Sequence, residues 1–472
     1  MKSFLITLSI LLLSQSSFAQ EEKVFKAGAF ASNINPPLGT SIAGSMREGH
    51  IKHIHDDLHA RCLVLDDGTD RLAIVLVDSC MVLKETMDEA KSLIEKETGI
   101  PKENILIAAT HSHSAPTSAY VFQSEPDPAY RDFLVRRIAD GVQCAVNNLE
   151  PAKIGWGSAE EPDQVFNRRW YLKEGAMAPN PFGELDKVKM NPGRASSDLV
   201  SPAGPTDPEV SFISVLSADE NRHLAILANY SLHYVGGVGG GHASADYFGA
   251  FADRIQELVN ADRQDPAFVG ILSNGTSGDI NNIDFTQPSA RQESYEQIHI
   301  VANDVAEAVD QALDSVDYKD WVDLLSAQRE ISLGVRLPSE EEVAEAKEIL
   351  AEAKDPNDLQ GLRDIYAKET VDVSTYPKEV PLILQTLRIG DLGIAAIPCE
   401  VFVEIGLEIK DRSPFEDTFT IELANGYNGY LPTPKHHELG GYETWRAKSS
   451  YLEPEASPQI VSVLMDLFGE IH

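Results

Sequence analysis

Short apolar runs of strand length alternate along the chain with longer amphipathic stretches of helix length. Because apolar runs bounded by turn residues favour strands and a three-to-four-residue apolar spacing favours helices, both element types are predicted throughout. The predicted strands are Arg61–Leu65, Leu72–Val77, Ile105–Ala109, Phe212–Val215, Leu224–Ala228, Phe268–Leu272, Leu382–Leu387, Leu392–Ile397 and Phe419–Leu423. The predicted helices are Glu85–Glu97, Tyr130–Asn147, Phe248–Asn260 and Tyr295–Leu313. This mixture predicts an α/β protein with mixed β-sheets flanked by helices.

Two segments read as additions to this framework. Residues 156–208 are rich in Pro, Gly and Asn, and predict a long ordered loop over a site. Residues 339–375 predict a helical insertion that begins with a capping box formed by Ser339 and Glu342.

The first 19 residues have the pattern of a signal peptide. Lys2 precedes an apolar run, and Ser17-Phe18-Ala19 is a small-x-small cleavage site. Because no apolar segment reaches about 18 residues, no transmembrane segment is predicted. We expect a secreted or periplasmic protein in which residues 20–472 form a single domain.

The charge balance restricts the partners. With 39 Lys+Arg against 74 Asp+Glu, the formal net charge is −35. Nucleic-acid binding needs a basic surface, so no nucleic-acid partner is expected. Four widely spaced cysteines, Cys62, Cys80, Cys144 and Cys399, predict buried free thiols, although one long-range disulfide remains open. The oligomeric state is left open.

Chemically useful side chains follow several predicted strands at the point where each strand ends. His111 and His113 follow one strand, and their alternate spacing lets both imidazoles face one site. His233, Glu400 and Tyr430 follow three others, and open α/β sheets place their sites at such strand ends. His111, His233 and Glu400 therefore predict three zinc ligands, with a fourth position for Tyr430, water or substrate. Glu400 also fits a simpler role as a carboxylate at a helix start.

Five motifs together resemble the neutral/alkaline ceramidase family. They are Thr110-His111-Ser112-His113-Ser114, Tyr230-Ser231-Leu232-His233, Pro398-Cys399-Glu400, Asn428-Gly429-Tyr430-Leu431 and Gly441-Tyr442-Glu443. The resemblance implies a ceramidase-like catalytic domain with long loops over the site and zinc bound by His111, His233, Glu400 and Tyr430. It also implies that His113 assists catalysis and that Tyr442 faces the substrate.

One departure from the family concerns the nucleophile. The ceramidases carry a serine in a Gly-Asp-Val-Ser-Pro-Asn stretch, whereas this chain has Gly278-Asp279-Ile280-Asn281-Asn282. The amide of Asn281 cannot be activated as a hydroxyl nucleophile. The resemblance therefore covers a divergent branch that keeps the metal site and lacks the serine.

A basic and aromatic patch lies in the long loop at Asn167-Arg168-Arg169-Trp170-Tyr171. Because guanidinium groups bind carboxylate and sulfate in bidentate fashion, Asn167, Arg168 and Arg169 predict an anion-binding wall beside the metal. Ion pairing of the two arginines with Glu160, Glu161 and Asp163 is the alternative. His242, close to His233 in sequence, is a further candidate for substrate binding.

These features favour a lyase that cleaves an acidic, uronate-bearing polysaccharide, such as an ulvan-type sulfated glycan, by β-elimination. That reaction needs no serine, and His113, Tyr430 and Tyr442 are candidates for its acid and base. The alternative is a zinc-dependent amidohydrolase of N-acyl lipids, in which metal-activated water replaces the serine. A non-catalytic carbohydrate-binding protein is the third and least favoured hypothesis.

Overall fold

The computed structural model describes residues 23–220, 222–261, 264–355 and 358–472, so the predicted signal peptide lies outside the described residues. The strands are β1 (Lys26–Asn33), β2 (Ser41–Ile42), β3 (Gly49–His50), β4 (His53–Ile54), β5 (His59–Asp66), β6 (Arg71–Val77), β7 (Ile105–Ala109), β8 (Glu150–Glu160), β9 (Phe166–Asn167), β10 (Arg169–Leu172), β11 (Val188–Met190), β12 (Leu199–Pro202), β13 (Glu209–Ser217), β14 (His223–Tyr230), β15 (His242–Ala243), β16 (Val269–Asn274), β17 (Ile280–Asn281), β18 (Leu324–Gly334), β19 (Glu379–Ile389), β20 (Leu392–Ala396), β21 (Glu400–Val401), β22 (Asp417–Ile421) and β23 (Tyr430–Leu431). The helices are α1 (Lys84–Thr98), α2 (Pro128–Asn147), α3 (Asp246–Leu258), α4 (Glu296–Leu313), α5 (Glu340–Glu352), α6 (Leu362–Val373), α7 (Val403–Arg412), α8 (Pro434–Leu439) and α9 (Ala456–Ile471).

Two β-sheets pack face to face. The larger has eight strands in the order β16-β14-β13-β8-β1-β5-β6-β7, and the smaller has four in the order β18-β19-β20-β22. Both are largely antiparallel, with parallel pairs at β14–β16, β6–β7 and β20–β22. Leu63 and Leu227 from the larger sheet meet Leu387 and Phe419 from the smaller in one core.

Helices cover the outer faces of both sheets. Helices α1 to α4 pack on the larger sheet, and α7 and α9 pack on the smaller. The result is a four-layer helix–sheet–sheet–helix arrangement. Polar residues do not alternate with apolar ones in β6 because both faces of this strand are buried. Ile74 faces the inter-sheet core, while Ala73 and Val75 face the helices.

The prediction of an α/β protein with mixed sheets flanked by helices is confirmed. Strand β7 has the predicted bounds, and the insertion at 339–375 forms α5 and α6, with the Ser339 capping box in place. The loop at 156–208 carries more structure than expected, because β10, β11 and β12 form a small sheet within it. Helix α9 had no counterpart among the predicted elements.

The four cysteines, all within the part of the chain that the structure describes, are free thiols, and no long-range disulfide joins them. Among the described residues, no helix is both long enough and apolar enough to cross a bilayer.

Candidate metal centre

The site forms where several strands end. His111 and His113 follow β7, and His233 follows β14. Strand β21 pairs in parallel with β23 and places Glu400 directly beside Tyr430.

Strands β7 and β14 lie far apart in the order of the eight-stranded sheet, yet their histidines meet. The segment 422–425 explains this contact, because it lies between the two edges of that sheet. Its Leu423 carbonyl accepts a hydrogen bond from the Ala109 amide on β7, and its Glu422 amide donates one to the Asn274 carbonyl on β16. The edges are thereby drawn together around the site.

Three side chains form a tight buried cluster. His111 Nε2 lies 3.0 Å from His233 Nε2. Glu400 Oε2 lies 3.4 Å from His111 Nε2 and 4.0 Å from His233 Nε2. All three residues are 2 % exposed or less, and their spacing suits a metal ion.

The hydrogen bonds of the histidines direct their Nε2 atoms into this cluster. The Nδ1 atoms face backbone carbonyls: His111 faces Cys80 at 2.8 Å, His233 faces Ser277 at 3.2 Å and His113 faces Gly44 at 2.9 Å. Because a carbonyl oxygen can only accept, each Nδ1 carries the proton, and a neutral ring then presents a lone pair at Nε2. His113 Nε2 lies 3.2 Å from His111 Nε2, so three such atoms converge.

Glu400 adds an unsatisfied oxygen to the same point. Its Oε1 accepts a hydrogen bond from the Tyr427 hydroxyl at 3.1 Å, whereas Oε2 is buried without a hydrogen-bond partner. This oxygen lies 3.4 Å from His111 Nε2, and the lone pairs of neutral His113 and His233 point to the same place, so a cation there would contact all of these atoms. The two imidazoles and the carboxylate are donors that divalent metal ions of the zinc type accept. The residues present therefore fit such an ion.

The pKa values of the histidines follow the same logic. Burial lowers the pKa of His111, but Cys80 and Glu400 outweigh it and hold that pKa well above 6.5. Burial together with neighbouring positive charge depresses the pKa of His113 and of His233 well below 6.5. The cluster thus favours positive charge at its centre, while His113 and His233 stay neutral.

Glu422 supports the cluster from behind, and the sequence analysis missed it. Its carboxylate accepts hydrogen bonds from the Ser277 hydroxyl at 2.6 Å and from the Val401 amide at 2.6 Å. It therefore joins the segment that holds His233 to the strand that carries Glu400. Burial raises the pKa of Glu422 to about 8. The sequence feature that could have pointed to Glu422 is its place at the end of a predicted strand.

A cavity of about 500 Å³ opens onto the cluster. Tyr234 also contributes to its wall and stacks on His113, with ring centroids 3.6 Å apart. The residues from the sequence analysis that line this cavity are His111, His113, Arg168, His233, Glu400, Tyr430 and Tyr442.

The two predicted anion-binding arginines are buried ion pairs. Arg168 Nε lies 3.0 Å from one oxygen of Glu443, and Arg169 Nη1 lies 2.7 Å from the other. Arg168 also donates to the Gly278 carbonyl at 2.7 Å and to the Tyr430 hydroxyl oxygen at 3.2 Å. The arginines therefore form no open wall, and their carboxylate partner is none of those expected from neighbouring sequence.

Three predicted substrate-binding residues lie outside the cavity lining. Arg169 is fully buried, and Asn167 donates a hydrogen bond to Asp279 at 2.8 Å. His242 hydrogen-bonds through Nδ1 to the Tyr295 hydroxyl and lies beside His53. Each of the three is thus engaged in contacts within the fold.

The resemblance described in the sequence analysis matches Asn281 to the serine of the ceramidases. Its side-chain amide donates to Asn191 Oδ1 at 2.8 Å, and Asn191 lines the cavity. The nearby Ser277 hydroxyl is bonded to Glu422 and does not line the cavity. No serine nucleophile thus replaces the missing one at this turn among the described residues.

Fold and cluster together define a class of four-layer α/β proteins with a buried His–His–Glu site at the strand ends. The chain belongs to the neutral/alkaline non-lysosomal ceramidase family, whose N-terminal domain profile matches residues 42–298, more than half of the chain.

Solved ceramidase structures share the fold. Neutral ceramidase from Pseudomonas aeruginosa matches with a TM-score of 0.72 and 16 % identity, over 96 % of this chain and 75 % of that one. A ceramidase complexed with C2 matches with a TM-score of 0.72 and 15 % identity, over 95 % and 75 %. No curated protein matches the chain.

The polysaccharide lyase predicted from the sequence is wrong. The matched family and both structural neighbours are ceramidases, which supports the amidohydrolase alternative. The lyase hypothesis depended mainly on Asn281 in place of a serine, and the anion-binding role it gave to Arg168 or Arg169 fails because Glu443 already engages both.

Proposed function

We propose that the chain is a metal-dependent hydrolase that cleaves the amide bond of N-acyl lipids. The observation that carries the proposal is the convergence of three imidazole Nε2 atoms, from His111, His113 and His233, beside the buried Oε2 of Glu400. We assign zinc as the metal, with His111, His233, Glu400 and Tyr430 as ligands. Tyr430 is included because it lies beside Glu400 in the β21–β23 pair.

A bound zinc ion would supply Lewis-acid activation of the amide carbonyl and of a water molecule. The chain's own residues then handle the proton. His113 presents Nε2 to the cavity with its Nδ1 bonded to Gly44, and burial lowers its pKa so that the ring is neutral with a lone pair at Nε2. Arg168 donates to the Tyr430 hydroxyl oxygen and so fixes its position beside Glu400.

Water replaces the missing serine in this proposal, because Asn281 offers no hydroxyl. The water oxygen bonds to the acyl carbon and the carbon–nitrogen bond breaks. His113 transfers the water proton to the leaving amine. Tyr442, in the same cavity, contacts the substrate.

A second cavity of about 340 Å³ adjoins the first and shares Met46, Met190, Leu362 and Tyr442 with it. Its apolar side chains suit an alkyl chain. The two cavities together match a ligand with a polar amide and an apolar tail.

The test measures fatty acid and amine released from N-acyl lipids by mass spectrometry. Metal-loaded protein should release both in equal amounts, a chelator should stop release, and added zinc should restore it. His233→Ala should lose tight zinc binding and activity together. The matched control is His223→Ala, a half-buried histidine whose contact is Ser214.

Absence of release across a panel of acyl lengths and head groups would overturn the proposed function. Unchanged zinc content in His233→Ala would overturn the ligand assignment. We also propose that the protein is exported after removal of residues 1–19, leaving residues 20–472 as a single catalytic domain.

A further inference from the structure

The charge of the cavity is opposite to that of the molecule. The chain carries a formal net charge of −35. The lining of the metal cavity nevertheless contains two guanidinium groups, Arg47 and Arg168, and among the described residues its carboxylate is Glu400. When Arg169 and Glu443, which form one ion-pair group with Arg168, are included, three positive charges face two negative ones before any metal ion is counted.

Arg47 is carried by a loop that is fixed to the site. The Gly44 carbonyl accepts from His113 Nδ1 at 2.9 Å, and the Met46 carbonyl accepts from the Gln123 amide at 2.8 Å. Gly44 has a φ of +95°, and a Cβ there would lie 2.5 Å from the His113 ring. The loop therefore packs closely on His113, and its exposed Arg47 lines the same cavity.

The guanidinium of Arg47 is uncommitted. Among the described residues this guanidinium has no ion-pair or hydrogen-bond partner, and the one hydrogen bond of Arg47 outside regular elements is donated by its backbone amide to the Ser45 hydroxyl. The adjacent Glu48 instead lies 3.8 Å from His50. A free guanidinium at the mouth of an enclosed site is suited to a planar or tetrahedral oxoanion.

Arg168 adds positive charge that its ion pair cancels only in part. It shares Glu443 with Arg169, so one carboxylate faces two guanidinium groups. The excess charge is buried beside the cavity, where electrostatic interactions are screened less than in water.

The adjoining cavity favours an amphiphilic ligand over a free anion, because its mostly apolar walls can bind an alkyl chain. It meets the metal cavity at Met46, the neighbour of Arg47. We propose that the substrates are N-acyl lipids whose amine portion bears a carboxylate or sulfonate, which Arg47 binds. This inference rests on the proposed function and names the substrate class of the same site.

The test compares N-lauroyl-glycine and N-lauroyl-taurine with the neutral N-lauroyl-ethanolamine. Wild-type protein should cleave the two anionic lipids with a kcat/KM about tenfold or more above the neutral one. Arg47→Gln should abolish this preference, and Arg47→Lys should retain part of it. Arg291→Gln is the matched control, since Arg291 is exposed and lies outside both cavities.

Equal or better cleavage of the neutral lipid, or an unchanged preference in Arg47→Gln, would overturn the inference and leave the proposed function standing. Equilibrium binding of the same three head groups, with the amide replaced by a non-cleavable ketone, separates the two proposals. Charge-selective binding that depends on Arg47, without hydrolysis of any lipid, would overturn the proposed function alone. Free laurate tests the other carboxylate source: Arg47-dependent inhibition by laurate without head-group selectivity would assign Arg47 to the acid product and overturn the inference.

Discussion

Glu443 lies between two buried arginines at the edge of the cavity. Both of its oxygens are engaged, one by Arg168 and one by Arg169, and all three side chains are at least nine-tenths buried. These three buried residues stabilise the fold only while they remain paired, because an unpaired buried charge lowers the free energy of unfolding.

Glu443→Gln should therefore lower the free energy of unfolding by about 3–5 kcal/mol, since it leaves two buried guanidinium groups without a counter-charge. Urea denaturation followed by circular dichroism measures this change. The control is Glu438→Gln at an exposed position, which should change little. A loss in Glu443→Gln no larger than in the control would show that the two arginines are not held by this carboxylate.

His437 should make stability depend on pH. Burial, with Arg336 and Arg169 nearby, lowers the pKa of His437 to about 3. The folded state therefore favours the neutral ring, and its contribution is complete above about pH 6.5 and is lost as the pH falls toward 3.

Between pH 6.5 and pH 5 this loss should reach about 2 kcal/mol, at about 1.4 kcal/mol per pH unit. His437→Gln should flatten that part of the stability profile, measured by urea denaturation at a series of pH values. His50→Gln, at an exposed histidine, should leave the slope as it is. An equal slope in His437→Gln would mean that other groups cause the acid sensitivity.

At the scale of elements, α5 depends on its cap more than on its packing. Ala346 is its one buried residue within the described helix. The Ser339 hydroxyl accepts from the Glu342 amide at 3.2 Å, and Glu342 accepts from the Ser339 amide at 2.7 Å. Helix α5 packs on α6, which brings Leu362 and Ile365 to the metal cavity.

Ser339→Ala should destabilise α5 by about 1 kcal/mol, because it removes one half of the capping box. Hydrogen exchange should show faster exchange confined to the amides of α5. Ser92→Ala is the control, because Ser92 lies inside α1 and bonds only to the Asp88 carbonyl. Exchange rates in α5 that match the wild type would contradict the role of the cap.

The elements were the part of the structure most accessible from the sequence. Strands β6 and β7 are buried on both faces, so their side chains are apolar apart from Arg71 at the start of β6, and their extent is visible locally. Helix α9 is amphipathic, but its apolar residues follow a stretch of turns, and the sequence analysis did not predict the helix. Strands β10 to β12 escaped prediction because short strands in a polar loop depend on pairing with distant residues.

At the scale of the whole molecule, the net charge of −35 should oppose the folded state through self-repulsion. Raising the ionic strength from about 0.01 M to about 0.15 M shortens the Debye length from about 30 Å to about 8 Å, so the melting temperature should rise. Differential scanning calorimetry measures this. NaCl and KCl should act alike, because screening depends on ionic strength. A melting temperature that stays constant or falls would mean that repulsion is already compensated locally.

The sequence by itself determined the elements and the candidate ligands, because both depend on neighbouring residues. A strand can be predicted from its own side chains. His111, His233 and Glu400 each come shortly after the end of a strand, namely β7, β14 and β20. The family resemblance followed from those short motifs, and the matched ceramidase profile agrees with it.

Only the tertiary structure decided how these parts meet. The segment 422–425 joins the two edges of the eight-stranded sheet, and this closure brings His111 within 3.0 Å of His233. Glu443 pairs with two arginines that are more than 270 positions earlier in the chain, so their apparent freedom in the sequence was misleading. Contacts between residues so far apart leave no local pattern, and they become visible only when the chain is folded.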